Sequence, residues 1–156
     1  MKKVFAVVLT FALLFSLSVT AFAANTTGGD ADITTSIAPT YTVTIPADVN
    51  VAFNATETAF GTIEVTASQI HPDKCIKVEL TYDRELNNSI DSTKIIPYVV
   101  KNDEGADFIS ATYLTEGDAT ELFIHITAEA WNAAYAGDYS DTVTFTVSYV
   151  DKAANN

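Results

Sequence analysis

The run Thr142-Val143-Thr144-Phe145-Thr146-Val147-Ser148-Tyr149-Val150 constrains this chain more than any other stretch, because polar and apolar residues alternate through it without a break. Side chains on a strand point to opposite faces in turn. Val143, Phe145, Val147 and Tyr149 therefore share one face, and Thr142, Thr144, Thr146 and Ser148 the other. A segment of this kind folds as a half-buried antiparallel strand, and the turn residues Ala136-Gly137-Asp138 lead into it.

The same alternation recurs at short intervals. Residues 41–45 alternate with threonines until Pro46 ends the run, and further strands are expected over 49–53, 61–67, 75–82, 95–100, 108–114 and 122–127. Between them lie turn formers, among them Asn87-Asn88, Asn102-Asp103-Glu104-Gly105 and Glu116-Gly117-Asp118. One short helix is expected over 127–134, capped by Thr127, with Trp131 plugging one end of the core. The pattern predicts an all-β chain, a single Ig-like antiparallel β-sandwich of about seven or eight strands.

The first 23 residues read differently. Lys2 and Lys3 precede an apolar run from Val4 to Val19, and Ala21-Phe22-Ala23 supplies the small residues of a cleavage site. This is the order of a signal peptide, and the run falls short of the ~20 residues that span a bilayer. The expected organisation is a signal peptide over 1–23, a flexible leader or candidate donor segment over 24–40, the sandwich over 41–151 and a disordered tail over 152–156. The expected location is secreted, extracellular or at the cell surface, with no membrane insertion after cleavage.

Charge narrows the partners. The chain carries 8 Lys+Arg against 20 Asp+Glu, a formal charge of -12, and loss of Lys2 and Lys3 brings it to -14. Such a protein repels phosphate backbones, so nucleic acid is excluded as a partner. Self-association must overcome the same repulsion by backbone pairing, apolar docking or divalent cations.

Residues with chemical potential are few. His71 and His125 are the only histidines, no Gly-x-Ser-x-Gly elbow occurs, and His125 sits inside a strand pattern. The segment His71-Pro72-Asp73-Lys74-Cys75 reads as an exposed turn, since a structural zinc site needs four ligands. Cys75 is the single cysteine; alternation puts it with Lys77 and Glu79 toward solvent or the sheet edge, and it reads either as a buried bystander thiol or as an intermolecular or reactive one. No cofactor is expected. Calcium is the one metal with candidate ligands, in the acidic loops Asp103, Glu104, Asp107 and Glu116, Asp118, Glu121, though neither is an EF-hand loop. Trp131 and Tyr135 are the candidate ligand-binding residues, because aromatic faces stack on sugar rings. Gly137 and Tyr139 read as a structural corner, the glycine taking an unusual backbone angle and the tyrosine hydroxyl reaching a nearby carbonyl.

The segment Ala136-Gly137-Asp138-Tyr139-Ser140-Asp141-Thr142-Val143, with the alternating residues after it, resembles the final strand of spore-coat-U-like pilin domains, the subunits of archaic chaperone-usher pili. Phe60-Gly61-Thr62-Ile63 resembles that family's early Phe-Gly turn, and Ile96-Pro97-Tyr98-Val99-Val100 its central Pro-Tyr strand. The lone Cys75 departs from the family's cysteine pairing. The resemblance implies an incomplete or edge-exposed sandwich that polymerises by accepting a strand from its neighbour, with Asp32-Ile33-Thr34-Thr35-Ser36-Ile37-Ala38-Pro39 as candidate donor. The expected function is that of an exported, non-enzymatic surface or structural protein, adhesive or pilin-like. Its partners would be other copies or surface proteins; the alternative is a secreted module that binds a carbohydrate or surface polymer.

Overall fold

The computed structural model describes Leu9–Thr10 and residues 30–153. Most of the expected signal peptide, the start of the leader and the last residues of the tail lie outside the described residues.

The chain is all-β, in three antiparallel sheets. One runs β1-β2-β3-β9-β7, where β1 is Leu9–Thr10, β2 Thr40–Thr44, β3 Glu57–Gln69, β7 Val99–Asn102 and β9 Ala119–His125. A second runs β11-β4-β8, with β4 at Lys74–Thr81, β8 at Ser110–Tyr113 and β11 at Thr144–Asp151. The third and smallest runs β10-β5-β6, with β5 at Glu85–Asn88, β6 at Ile95–Pro97 and β10 at Tyr139–Ser140. Because β4 runs on into β5 and β10 into β11, the two small sheets form one interrupted layer facing the first.

The core between the layers is aliphatic. Ile63 and Val65 from β3, Ile76 and Val78 from β4, and Val100 and Leu122 from β7 and β9 are buried at its centre. In β4 the burial follows the alternation, Ile76, Val78 and Leu80 inward with Lys77 and Glu79 outward. The one helix, α1 at Ala128–Ala133, begins as its sequence dictates: Thr127 accepts the Ala130 N–H on its Oγ1 at 3.1 Å.

Several elements differ from the sequence reading. Residues 49–53 form no strand; they belong to the loop between Thr44 and Glu57, in which Asn54 has a positive φ of 64°. The segment 95–100 is divided at Tyr98, so that β6 pairs with β5 in one layer while β7 pairs with β9 in the other. Pro97 lacks an N–H and suits that crossing. Asn87-Asn88, expected as a turn, lie in β5 and pair with β10. The expected Phe-Gly turn at Phe60-Gly61 is a bulge inside β3, between Ala59 and Gly61. Gly61 takes a φ of +139° there, and a Cβ would come within 3.1 Å of Pro46.

Cys75 is buried and free, as the bystander reading has it, although alternation puts it on the outward side of β4. The chain after β11 closes over it: Lys152 N–H donates to the Asp73 carbonyl at 2.8 Å, and its ammonium to the Pro72 carbonyl at 2.8 Å. Leu9–Thr10 pairs with Val43 and Thr42 on the outer edge of β2, within the stretch read as a signal peptide. An edge strand offers unpaired N–H and C=O groups to any extended segment that reaches it.

From Thr144 to Val147 the exposure of β11 follows the alternation, and from Ser148 to Val150 both faces are half-buried. Yet Val143, Phe145 and Val147 are only half-buried, because β11 is an edge strand paired on one side. Chemical denaturation should separate the two environments. Leu122→Ala, at a fully buried site, is expected to cost about 3 to 5 kcal/mol, Phe145→Ala about 1 to 3, and Thr144→Ala less than about 0.5.

Candidate functional site

Along one side of the molecule the two layers are bounded by β2, with the two-residue β1 on its outer edge, and by β11. Near the start of β2 these edges meet through stacked rings, Tyr41 and Tyr149, whose centroids are 5.9 Å apart. Toward the other end they diverge, because the chain leaves β2 at Thr44 and crosses residues 45–51 as a loop instead of a strand. A groove of about 1050 Å³ opens there, between that loop and residues 137–145.

The groove has an apolar floor and an acidic rim. Phe60 and Phe145 meet across it with centroids 5.9 Å apart, and Leu86, Ile96 and Ile124 continue the apolar surface between the layers. Asp48, Asp138 and Asp141 stand on its borders, and no Lys or Arg lines it. A cleft of this composition suits an extended segment with alternating apolar side chains better than a polar small molecule.

Two hydrogen-bonded locks hold the wall formed by residues 135–145. The first is the expected corner. Gly137 adopts a φ of +144°, and a Cβ on it would stand 2.5 Å from Asn88 Nδ2, so the glycine is required by backbone angle and by space. Asn88 is buried, and its Oδ1 accepts the Ile90 and Asp91 N–H groups at 2.9 and 3.2 Å. The Tyr139 hydroxyl donates to the Tyr135 carbonyl at 3.0 Å and accepts the Tyr135 N–H at 3.1 Å. The turn is thereby closed on itself, and its far end is joined to β5 by the Tyr139–Asn88 pairing and by the Ser89 N–H, which donates to the Asp138 carbonyl at 2.8 Å.

The second lock joins the two chain crossings. Tyr98, buried where β6 gives way to β7, donates its hydroxyl to Asp141 Oδ2 at 2.6 Å, at the break between β10 and β11. Burial pushes the Tyr98 hydroxyl well above the usual tyrosine range, and the bond to Asp141 adds to the effect. Asp141 also accepts the Thr142 N–H at 2.7 Å.

Trp131 borders the groove, packs edge-on against Phe53 at 5.6 Å and donates its indole N–H to the Ala55 carbonyl at 2.8 Å. It ties the loop of residues 51–55 to α1, as a half-buried plug. Tyr135 is exposed, and the Lys94 ammonium lies 4.7 Å from its ring centroid, covering one face.

The remaining candidates lie apart from the groove. His125 pairs with Glu57 at 3.1 Å on the outer face of the first sheet, and His71 bonds to Asp73 in the turn before β4. Of the acidic loops, Asp107 faces Arg84 at 3.3 Å, while Asp118 accepts the Leu114 and Thr115 N–H groups at 2.7 and 2.9 Å. Those backbone bonds hold the Asp118 carboxyl below the usual range. Among the described residues no group of three or more His, Cys, Asp or Glu is placed to hold a metal ion. The groove and the Tyr98–Asp141 lock escape the sequence reading, since a missing strand leaves no motif; Pro46 followed by the irregular stretch to Asn54 is the one local signal.

No family model, curated protein or solved structure matches this chain.

Two measurements address the locks. Gly137→Ala should destabilise by about 2 kcal/mol or more, and Tyr139→Phe by about 1 kcal/mol, read as shifts in denaturation midpoint. Tyr98 has a raised value in the folded state, so its contribution is complete below pH about 10 and lost as pH climbs above it. The urea midpoint should therefore fall above pH about 10, and Tyr98→Phe should flatten that fall. Burial also raises Tyr41 and Tyr113, and the bond to Asp151 raises Lys74, so these groups add to the same alkaline slope.

Proposed function

We propose that this protein is an exported, non-enzymatic structural subunit that assembles at the cell surface by strand addition. The observation that carries the reading is the placement of an exposed arm without regular structure and an open groove at opposite ends of the same side of the sandwich. Residues 30–39 carry no regular structure and are exposed throughout, Ile33 at 99% and Ile37 at 67%. They enter β2 at Thr40, beside the β3–β4 turn, whereas the groove begins beyond Thr44.

Ten extended residues span about 33 Å, enough to cross a neighbouring domain. Ala38 precedes Pro39 and is thereby biased to an extended backbone. Ile33, Thr35 and Ile37 would point into the neighbour's groove while the backbone pairs with the free edge of β11. A contact that joins one end of each copy to the other end of the next is heterologous, and it produces a linear polymer wherever the rotation between copies does not close into a ring.

The likeness of the C-terminal strand to spore-coat-U-like pilin domains supports the same reading, as does the signal-peptide pattern of the first 23 residues. The alternative, a carbohydrate- or polymer-binding module, draws support from exposed Phe53 beside Trp131. It is weakened by the bonded indole and by Lys94 over Tyr135.

Light scattering and negative-stain imaging of the chain from Ala24 test the proposal. Concentration-dependent linear oligomers are expected at moderate ionic strength, and Ile33→Asp with Ile37→Asp should leave folded monomers. Monomers at every concentration and salt, or oligomers indifferent to those substitutions, would overturn it.

A further inference from the structure

Charge sets a limit on which strand the groove holds best. Asp48, Asp138 and Asp141 border it without a neighbouring cation, and Asp141 is held at the wall by Tyr98 and by the Thr142 N–H. The chain's own arm is a poor electrostatic match. From Ala24 to Asp73 there is no Lys or Arg, and the residues before Ile33 include Asp30 and Asp32. With Ile33 and Ile37 turned inward, alternation turns Asp30 and Asp32 outward, toward the rim carboxylates. The arm also offers only two large apolar residues to a floor that includes Phe60, Leu86, Ile96 and Phe145.

We propose that the tight occupant of the groove is a strand of a different polypeptide, with alternating large apolar side chains facing in and Lys or Arg facing out at the positions that meet Asp48 and Asp138. The inference rests on the strand-accepting reading above and refines it. Contacts between copies are the weaker kind, limited by like charge. A basic-flanked strand is the partner that starts, ends or anchors the line of copies. Opposite charge at the rim also speeds encounter and rejects acidic competitors, including the protein's own arm at low ionic strength.

The test uses fluorescein-labelled peptides and the exported chain carrying Ile33→Asp and Ile37→Asp, so that its own arm does not compete. One peptide reproduces residues 30–40, a second carries Asp30→Lys and Asp32→Lys, and a third adds Ile33→Asn and Ile37→Asn to the second. Anisotropy at about 20 mM salt should show the second binding at least about tenfold more tightly than the first. That advantage should shrink below about twofold near 1 M salt, where screening acts within about 3 Å. Asp48→Asn with Asp138→Asn in the protein should reduce it likewise, and the third peptide should not bind.

Equal affinity of the first two peptides at low salt overturns the charge inference while leaving strand acceptance standing. Equal binding of the second and third overturns the groove as the seat of the basic peptide, attributing its binding to the overall negative charge. Failure of both the first and second to bind overturns the strand-accepting reading itself.

Discussion

Two facing sheets share one core only if the gap between their edges is closed on both sides. Here the side bounded by β2 and β11 is closed at one end by the Tyr41–Tyr149 stack and open at the other. The remaining features of the site follow from that divergence. β11 stays half-buried because, among the described residues, only β4 pairs with it, and Phe60 and Phe145 meet across the opening. An edge of eight residues is a standing template for pairing. A natural protein that leaves such an edge beside an apolar groove has not used charge or proline to block it, as the threonines of β11 make plain.

An open groove is useful only if its walls keep their shape while it is empty. The corner at Gly137 and Tyr139 and the Tyr98–Asp141 bond serve that end. The first fastens the turn before β11 to buried Asn88, and the second fastens the break between β10 and β11 to the crossing from one layer to the other. Each lies outside the aliphatic core, so the wall is held by specific polar contacts where apolar packing runs out. Preorganisation of this kind lowers the ordering cost of accepting a strand.

Much of the fold was legible from alternation. The class, the inward set of β4, the cap at Thr127 and the Gly137–Tyr139 corner all follow from local chemistry that the sequence displays directly. What local pattern does not encode is pairing. The valines of 49–53 look like a strand, but no neighbouring edge takes them; Asn87-Asn88 look like a turn, but β6 and β10 bracket them as a strand. Cys75 sits on the outward side by alternation and is buried by a chain end 76 residues away. The groove was least legible of all, because it arises where pairing stops. Trp131 is the plug that the sequence suggests, and one face of the Tyr135 ring is covered by Lys94, a contact that no local pattern encodes.

The most direct test of the open side is amide hydrogen exchange along β11, followed in the monomeric Ile33→Asp, Ile37→Asp chain. β11 pairs with β4 alone, so alternate amides from Thr144 to Asp151 should exchange rapidly while those bonded to β4 stay protected. Adding a strand peptide that binds should protect the fast set without altering the slow one. Uniform protection of β11 in the free monomer, or an unchanged fast set in the presence of bound peptide, would contradict a groove that is completed by an added strand.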